Sequence, residues 1–191
     1  LFEHVMFEGS KHHNSSHFEP LQKAGANLNG STTPDRTNYW EDVPTNYLDL
    51  ALWLESDRMG FLLDALDQER LDIQRDVVKN ERRYLVDIDP EGTMYEALYR
   101  LASNRHGYCW PTVCWMKYLD AITLQDCLDF YRTLYAPNNA TLVIAGDVSA
   151  DEVRPMIEAA YGKIPPQPAI PPQRIRPQEP EPAGPRTVTL A

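Results

Sequence analysis

Two ionisable residues stand side by side in an otherwise apolar run at the start of the chain: Glu3 and His4, among Leu1, Phe2, Val5, Met6 and Phe7. A run of this composition gains stability by being buried, and a carboxylate beside an imidazole is costly to bury without a partner. A metal ion is one such partner. A hydrogen-bonded structural pair is the other, and it is the commoner fate of a short motif of this kind. The chain opens without Met and reads as a fragment that begins inside a helix whose first turn lies ahead of Leu1.

The bulk of the sequence bounds the choice. At 191 residues, with 42% hydrophobic and 24% charged residues, it suits one well-buried α+β unit of ordinary composition. A net charge of −10 argues against a nucleic-acid partner or a polybasic membrane surface. No apolar run approaches the roughly 20 residues of a membrane span. Cys109, Cys114 and Cys127 are odd in number and form no CxxC pair, so they read as small, partly buried thiols.

Residues 11–17 form a polar loop carrying His12, His13 and His17. A metal cluster is one reading; a solvated loop ahead of a helix capped by Ser15 or Ser16 is the favoured one. That helix covers 17–24 and stops at Gly25. Residues 26–33 and 36–43 read as two strands joined by a turn at Pro34-Asp35. The first carries small polar side chains and, as an exposed edge, suits main-chain pairing with an extended peptide. An ordinary hairpin with one wet face fits the same composition.

Thr45 or Asn46 is expected to cap a helix over 47–63, and a second long helix covers 68–86. On the second, Ile73, Val77, Val78 and Leu85 supply the apolar stripe, and Glu81 falls between Val77 and Leu85. A carboxylate on a core face is paired or metal-bound, with Arg75, Arg82 and Arg83 as candidate partners. Helices follow over 93–103, 123–134 (capped by Thr123) and 149–161 (capped by Ser149), around an aromatic connection at 104–117. Residues 140–145 read as a buried strand, 164–185 as a Pro-rich linker and 187–190 as a further strand start.

These pieces fall into one pattern. A His directly ahead of Leu1 would complete His-Leu-Phe-Glu-His, the inverted zinc motif H-x-x-E-H, whose two His lie four apart on one helix face. The sequence resembles the catalytic N-terminal half of M16 family metallopeptidases, the group of pitrilysin, insulin-degrading enzyme and mitochondrial processing peptidase. The resemblance covers nearly the whole chain: Leu1 to Ser10, Leu28-Asn29-Gly30-Ser31-Thr32, Asp35 to Tyr39, Val77 to Arg83, and Tyr135 through Asp147.

By that resemblance the chain is a zinc-dependent metalloendopeptidase. His4 and Glu81 are zinc ligands, Glu3 is the general base that works on a zinc-activated water, and the remaining ligand would be a His ahead of Leu1. Asn29, Gly30, Ser31 and Thr32 pair with a polypeptide substrate. A second homologous half, in the same chain or a partner subunit, completes the chamber. The implied fold is α+β, an antiparallel or mixed sheet (26–33, 36–43 and 138–146) covered by helices, in an N-terminally truncated LuxS/MPP-like domain. That domain occupies 1–163 and lacks its first strands. A linker at 164–185 and the start of a following domain at 186–191 complete the division.

Two positions depart from the family pattern. Gln74, seven before Glu81, stands where many members carry a second Glu that supports catalysis. Cys114 stands where a Gly usually follows the Trp-Pro-Thr stretch. The competing readings are a non-catalytic M16-like subunit serving as a structural or peptide-binding scaffold, and a metal-free interaction module.

Overall fold

The structure, a computed structural model, describes residues 1–89, 91–168, 178–182 and 184–189. A short helix α1 (Phe2–Val5) leads through the polar loop to α2 (Phe18–Lys23). Then come β1 (Asn27–Thr32) and β2 (Thr37–Asp42), an antiparallel pair in register from Asn27 opposite Asp42 to Thr32 opposite Thr37. The helices are α3 (Leu48–Phe61), α4 (Gln68–Arg82), α5 (Gly92–Ala102), α6 (Met116–Ala121), α7 (Leu124–Leu134) and α8 (Ala150–Tyr161). Strands and helices are segregated, as the α+β expectation requires. No helix among the described residues is long and apolar enough to cross a membrane.

Local chemistry explains most of the boundaries. Gly25 ends α2 at a φ of +83°, a conformation only glycine adopts freely. Asp67 accepts from the Arg70 amide and starts α4. Thr123 and Asp126 form a reciprocal capping box on α7, and Ser149 accepts from the Glu152 amide on α8. Each such cap stabilises its helix by about 1 kcal/mol.

The core forms where α1 meets α4, α7 and the turn that follows α3. Val5 and Met6 pack with Leu62, Leu66, Leu71, Cys127 and Tyr131. A second cluster joins Leu21, Leu28, Ala51 and Leu54, tying α2 and β1 to α3. Burying a side chain such as Val5 or Leu71 contributes about 1.5–3 kcal/mol. These contacts hold the C-terminal end of α1 in the core.

Several expectations need correction. Neither Thr45 nor Asn46 caps α3; Thr45–Tyr47 forms a 3-10 turn, and the cap position is Tyr47, without a side-chain bond. Likewise neither Ser15 nor Ser16 is the cap of α2, which is His17. The helix predicted over 68–86 changes pitch at Arg83–Asp87, where a π-turn closes with the Ile88 amide on the Arg83 carbonyl at 2.9 Å. Arg82 secures that end by donating to the Cys114 carbonyl and to Glu96.

The buried strand expected at 140–145 has no ladder partner among the described residues, and Leu142 and Val143 are 46% and 79% exposed. An apolar β-branched run reports a need for cover, but a strand forms only where a neighbour supplies the matching N–H and C=O groups. The same holds at 187–189; Leu190, like 169–177 and Ala183 of the Pro-rich stretch, lies outside the described residues.

Candidate metal and peptide site

Glu3 and His4 leave α1 toward different neighbours. His4 Nε2 lies 3.2 Å from Glu81 Oε2 on α4. The two side chains are 30% and 38% exposed, which leaves their shared side open to further ligands. The hydrogen bond with His4 holds the Glu81 carboxyl below the usual carboxylate range, against the opposite pull of burial. The three arginines considered for Glu81 are engaged elsewhere: Arg75 with Asp72, Arg82 with Glu96 and Arg83 with Asn80.

The expected phase of α4 is nevertheless wrong. Val77 and Leu85 are 43% and 45% exposed, and the buried stripe is Leu71, Val78 and Arg82. Glu81 flanks the core and does not sit within it. Its proximity to His4 comes from α1 lying across α4.

Glu3 turns to β1. The Thr32 hydroxyl donates to Glu3 Oε2, and an ideal Cβ on Gly30 would stand 2.9 Å from Glu3 Oε1 and 3.2 Å from the Phe7 ring. Strand alternation explains the choice. Leu28, Gly30 and Thr32 share one face of β1, opposite Glu41, Tyr39 and Thr37 of β2, and that face meets α1. Asn29 and Ser31 fall on the other face. The far edge of β1 has no ladder partner among the described residues.

Other singled-out residues are partly engaged. Gln74 donates to Glu8 Oε1 at 2.5 Å, just beyond α1. The three loop histidines do not converge: His12 Nδ1 lies on Asp57, His13 Nε2 near Ser15 and Ser16, and His17 Nε2 on Glu41. The loop is not solvated throughout, because His17 is only 2% exposed. Burial lowers its pKa to about 3 and raises those of Glu41 and Glu55.

That buried group, completed by Arg58, escapes the sequence reading. Its signal is nonetheless there: Glu55 and Arg58 interrupt the apolar face of α3 between Leu54, Met59 and Leu62, in the way expected of Glu81 on α4.

An imidazole nitrogen and a carboxylate oxygen are donors that zinc takes, and a part-exposed pair leaves room for a third donor and a water. His4 and Glu81 therefore fit such an ion. Comparisons with known proteins point the same way. Residues 1–111 match the insulinase family, peptidase family M16, and residues 121–190 match the peptidase M16 inactive domain.

The chain is 31% identical to a Helicobacter pylori protein named zinc protease PqqE, over 80% of this chain and 34% of that protein. It is 25% identical to the probable zinc protease PqqL of Escherichia coli, over 85% of this chain and 18% of that one. The chain thus spans about a third or less of the length of these curated relatives. The crystal structure of a protease from Helicobacter pylori superposes with a TM-score of 0.85 at 28% identity, covering 92% of this chain and 42% of that one. Pitrilysin does so at 0.77 and 22% identity, over 89% and 19%.

Proposed function

Because the chain belongs to the M16 peptidase family, we propose that it is the zinc-binding part of a metalloendopeptidase acting on extended peptides. In this reading His4 and Glu81 hold the ion and Glu3 is the general base. The observation that carries it is the approach of His4 Nε2 to Glu81 Oε2 at 3.2 Å, with neither side chain taken by an arginine. A His directly ahead of Leu1 would complete the inverted H-x-x-E-H motif and supply the remaining protein ligand.

The chain's own residues divide the work. Bound zinc supplies Lewis acidity, lowering the pKa of a water to about 7 and polarising a carbonyl oxygen. Glu3 accepts the proton of the attacking water and returns one to the leaving amine. The Thr32 hydroxyl holds one Glu3 oxygen, and Gly30 leaves space for the other. Base and substrate strand are thereby in contact before any peptide arrives. Asn29 to Thr32 pair with the peptide main chain, which is largely blind to sequence, so cleavage preference comes from side pockets.

Residues 1–163 form the catalytic unit in this account, 164–185 the linker and 186–191 the start of a following domain. A second homologous half, in the same chain or a partner subunit, encloses the substrate.

The test is direct. The full-length protein is dialysed, its zinc measured, and its cleavage of an unstructured quenched fluorescent peptide followed. Stoichiometric zinc with cleavage that a chelator abolishes and zinc restores is expected. Zinc without cleavage would favour the scaffold reading, and absence of zinc binding the metal-free one.

A further inference from the structure

One buried guanidinium holds the C-terminal end of α1. Arg58 is 1% exposed and is the largest of the fully buried side chains among the described residues. A buried charge is costly unless it is paired and hydrogen-bonded. Arg58 Nε donates to Glu55 Oε2 at 2.9 Å and Nη2 to Glu55 Oε1, while Nη1 donates to the Met6 carbonyl at 3.3 Å. Its guanidinium also lies 5.4 Å from the Phe7 ring centroid and 4.5 Å from that of Tyr39.

The network continues on the other side of the helix end. His17 Nε2 lies 2.8 Å from Glu41 Oε1 and 3.8 Å from Glu55 Oε1. The His17 backbone amide donates to the Phe7 carbonyl at 3.0 Å. Two consecutive carbonyls leaving α1, those of Met6 and Phe7, are thus fixed by members of one buried group. His17, Glu41 and Glu55 offer ligand atoms within 4.8 Å of one another, a spacing a metal ion also suits. The cation there is already Arg58, bound to Glu55 by two bonds.

The C-terminal end of α1 takes its orientation from what grips it. Val5 and Met6 fix its depth in the core, and the grip on the Met6 and Phe7 carbonyls fixes its rotation. Glu3 and His4 lie on the turn immediately before. We infer that Arg58 is a positioning residue for Glu3 and His4, acting through the Met6 carbonyl and the Phe7 ring. This rests on the reading of Glu3 as base and His4 as ligand. Lysine cannot replace it: a single ammonium does not form the planar fork to Glu55, reach the Met6 carbonyl and stack on two rings together.

The test uses Arg58→Lys in the full-length protein, with Glu55→Gln, which breaks one side of the fork at nearly constant volume, carrying the same readouts if Arg58→Lys fails to fold. Hydrogen exchange across residues 1–10 is expected to rise about tenfold while α4 and α7 keep their rates, since only the grip on α1 is lost. Turnover is expected to fall on the order of 10- to 100-fold with KM within about twofold, the signature of misplaced reacting groups. Unchanged exchange at 1–10, or a rise spread equally over all helices, would overturn the inference. Exchange does not depend on hydrolysis. A wild-type protein lacking peptidase activity therefore refutes the proposed function, and the inference is still judged on exchange.

Discussion

His4 Nε2 and Glu81 Oε2 stand 3.2 Å apart, one on the four-residue α1 and the other near the end of α4. If the pair holds an ion, Glu81→Gln loses a charged ligand while changing little else. Zinc affinity is expected to fall by about 10- to 100-fold or more, a scale that even supporting partners of metal ligands reach. The unfolding free energy of the metal-free protein is expected to change by about 0.5 kcal/mol or less, as for other part-exposed positions. Zinc titration beside urea unfolding separates the two; equal zinc affinity would remove Glu81 from the ligand set.

Gly30 makes a second test, because the Cβ of an alanine there would stand 2.9 Å from Glu3 Oε1. The cheapest relief is for the Glu3 carboxylate to swing away, leaving Thr32. Gly30→Ala is expected to lower turnover by about tenfold or more through that misplacement, with zinc content retained. Steady-state kinetics alongside metal analysis checks this, and unchanged turnover would show that the Glu3 position seen here is dispensable.

Cys114 is the one non-glycine residue with positive φ among the described residues, at +71°. The departure from the family's Gly thus falls on a backbone position that suits glycine. A side chain in this region costs about 1–2 kcal/mol, partly offset by the greater freedom of Gly in the unfolded chain. Cys114→Gly is expected to stabilise by about 0.5–1 kcal/mol, whereas Cys114→Ala brings no such gain. Chemical denaturation of the two variants tells whether the backbone or the thiol is responsible.

His17 gives a pH signature. Its folded-state pKa is lowered from 6.5 to about 3 by burial, so between those values the unfolded chain binds the extra proton. Stability from this group is complete above about pH 6.5 and is lost as pH falls toward 3. Its largest slope is about 1.4 kcal/mol per pH unit. His17→Gln cannot titrate, and its stability is expected to fall less steeply with acidification than that of the wild type. Urea midpoints at pH 7, 6 and 5 measure the difference, and parallel curves would contradict it.

What is legible in the sequence is chiefly local. The caps at Asp67, Thr123 and Ser149 and the turn at Gly25 depend on a few neighbouring atoms. The two paired strands are legible for the same reason. Glu81 is more instructive: it does pair with His4, yet the stripe that argues for it in the sequence is phased on Val77 and Leu85, which face outward. Motif resemblance locates a neighbour that periodicity misassigns.

The network of His17, Glu41, Glu55 and Arg58 is legible only at Glu55 and Arg58 on α3; that His17 and Glu41 join them is not, because these come from the α2 boundary and β2 and meet α3 only in the fold. The run at 140–145 fails for a similar reason: its apolar pattern is clear, but pairing depends on a partner that the run itself does not encode.

The most direct test of the account separates chemistry from metal binding at Glu3. Gln at this position is nearly isosteric and can still accept the Thr32 hydroxyl proton, but it cannot take a proton from water. The full-length Glu3→Gln protein is assayed for zinc after dialysis and for cleavage of a quenched fluorescent peptide. The account predicts zinc retained at the wild-type level and hydrolysis lower on the order of 10²-fold or more, with His4→Ala losing both. Loss of zinc from Glu3→Gln would make Glu3 a ligand, and full activity would show that another group activates the water.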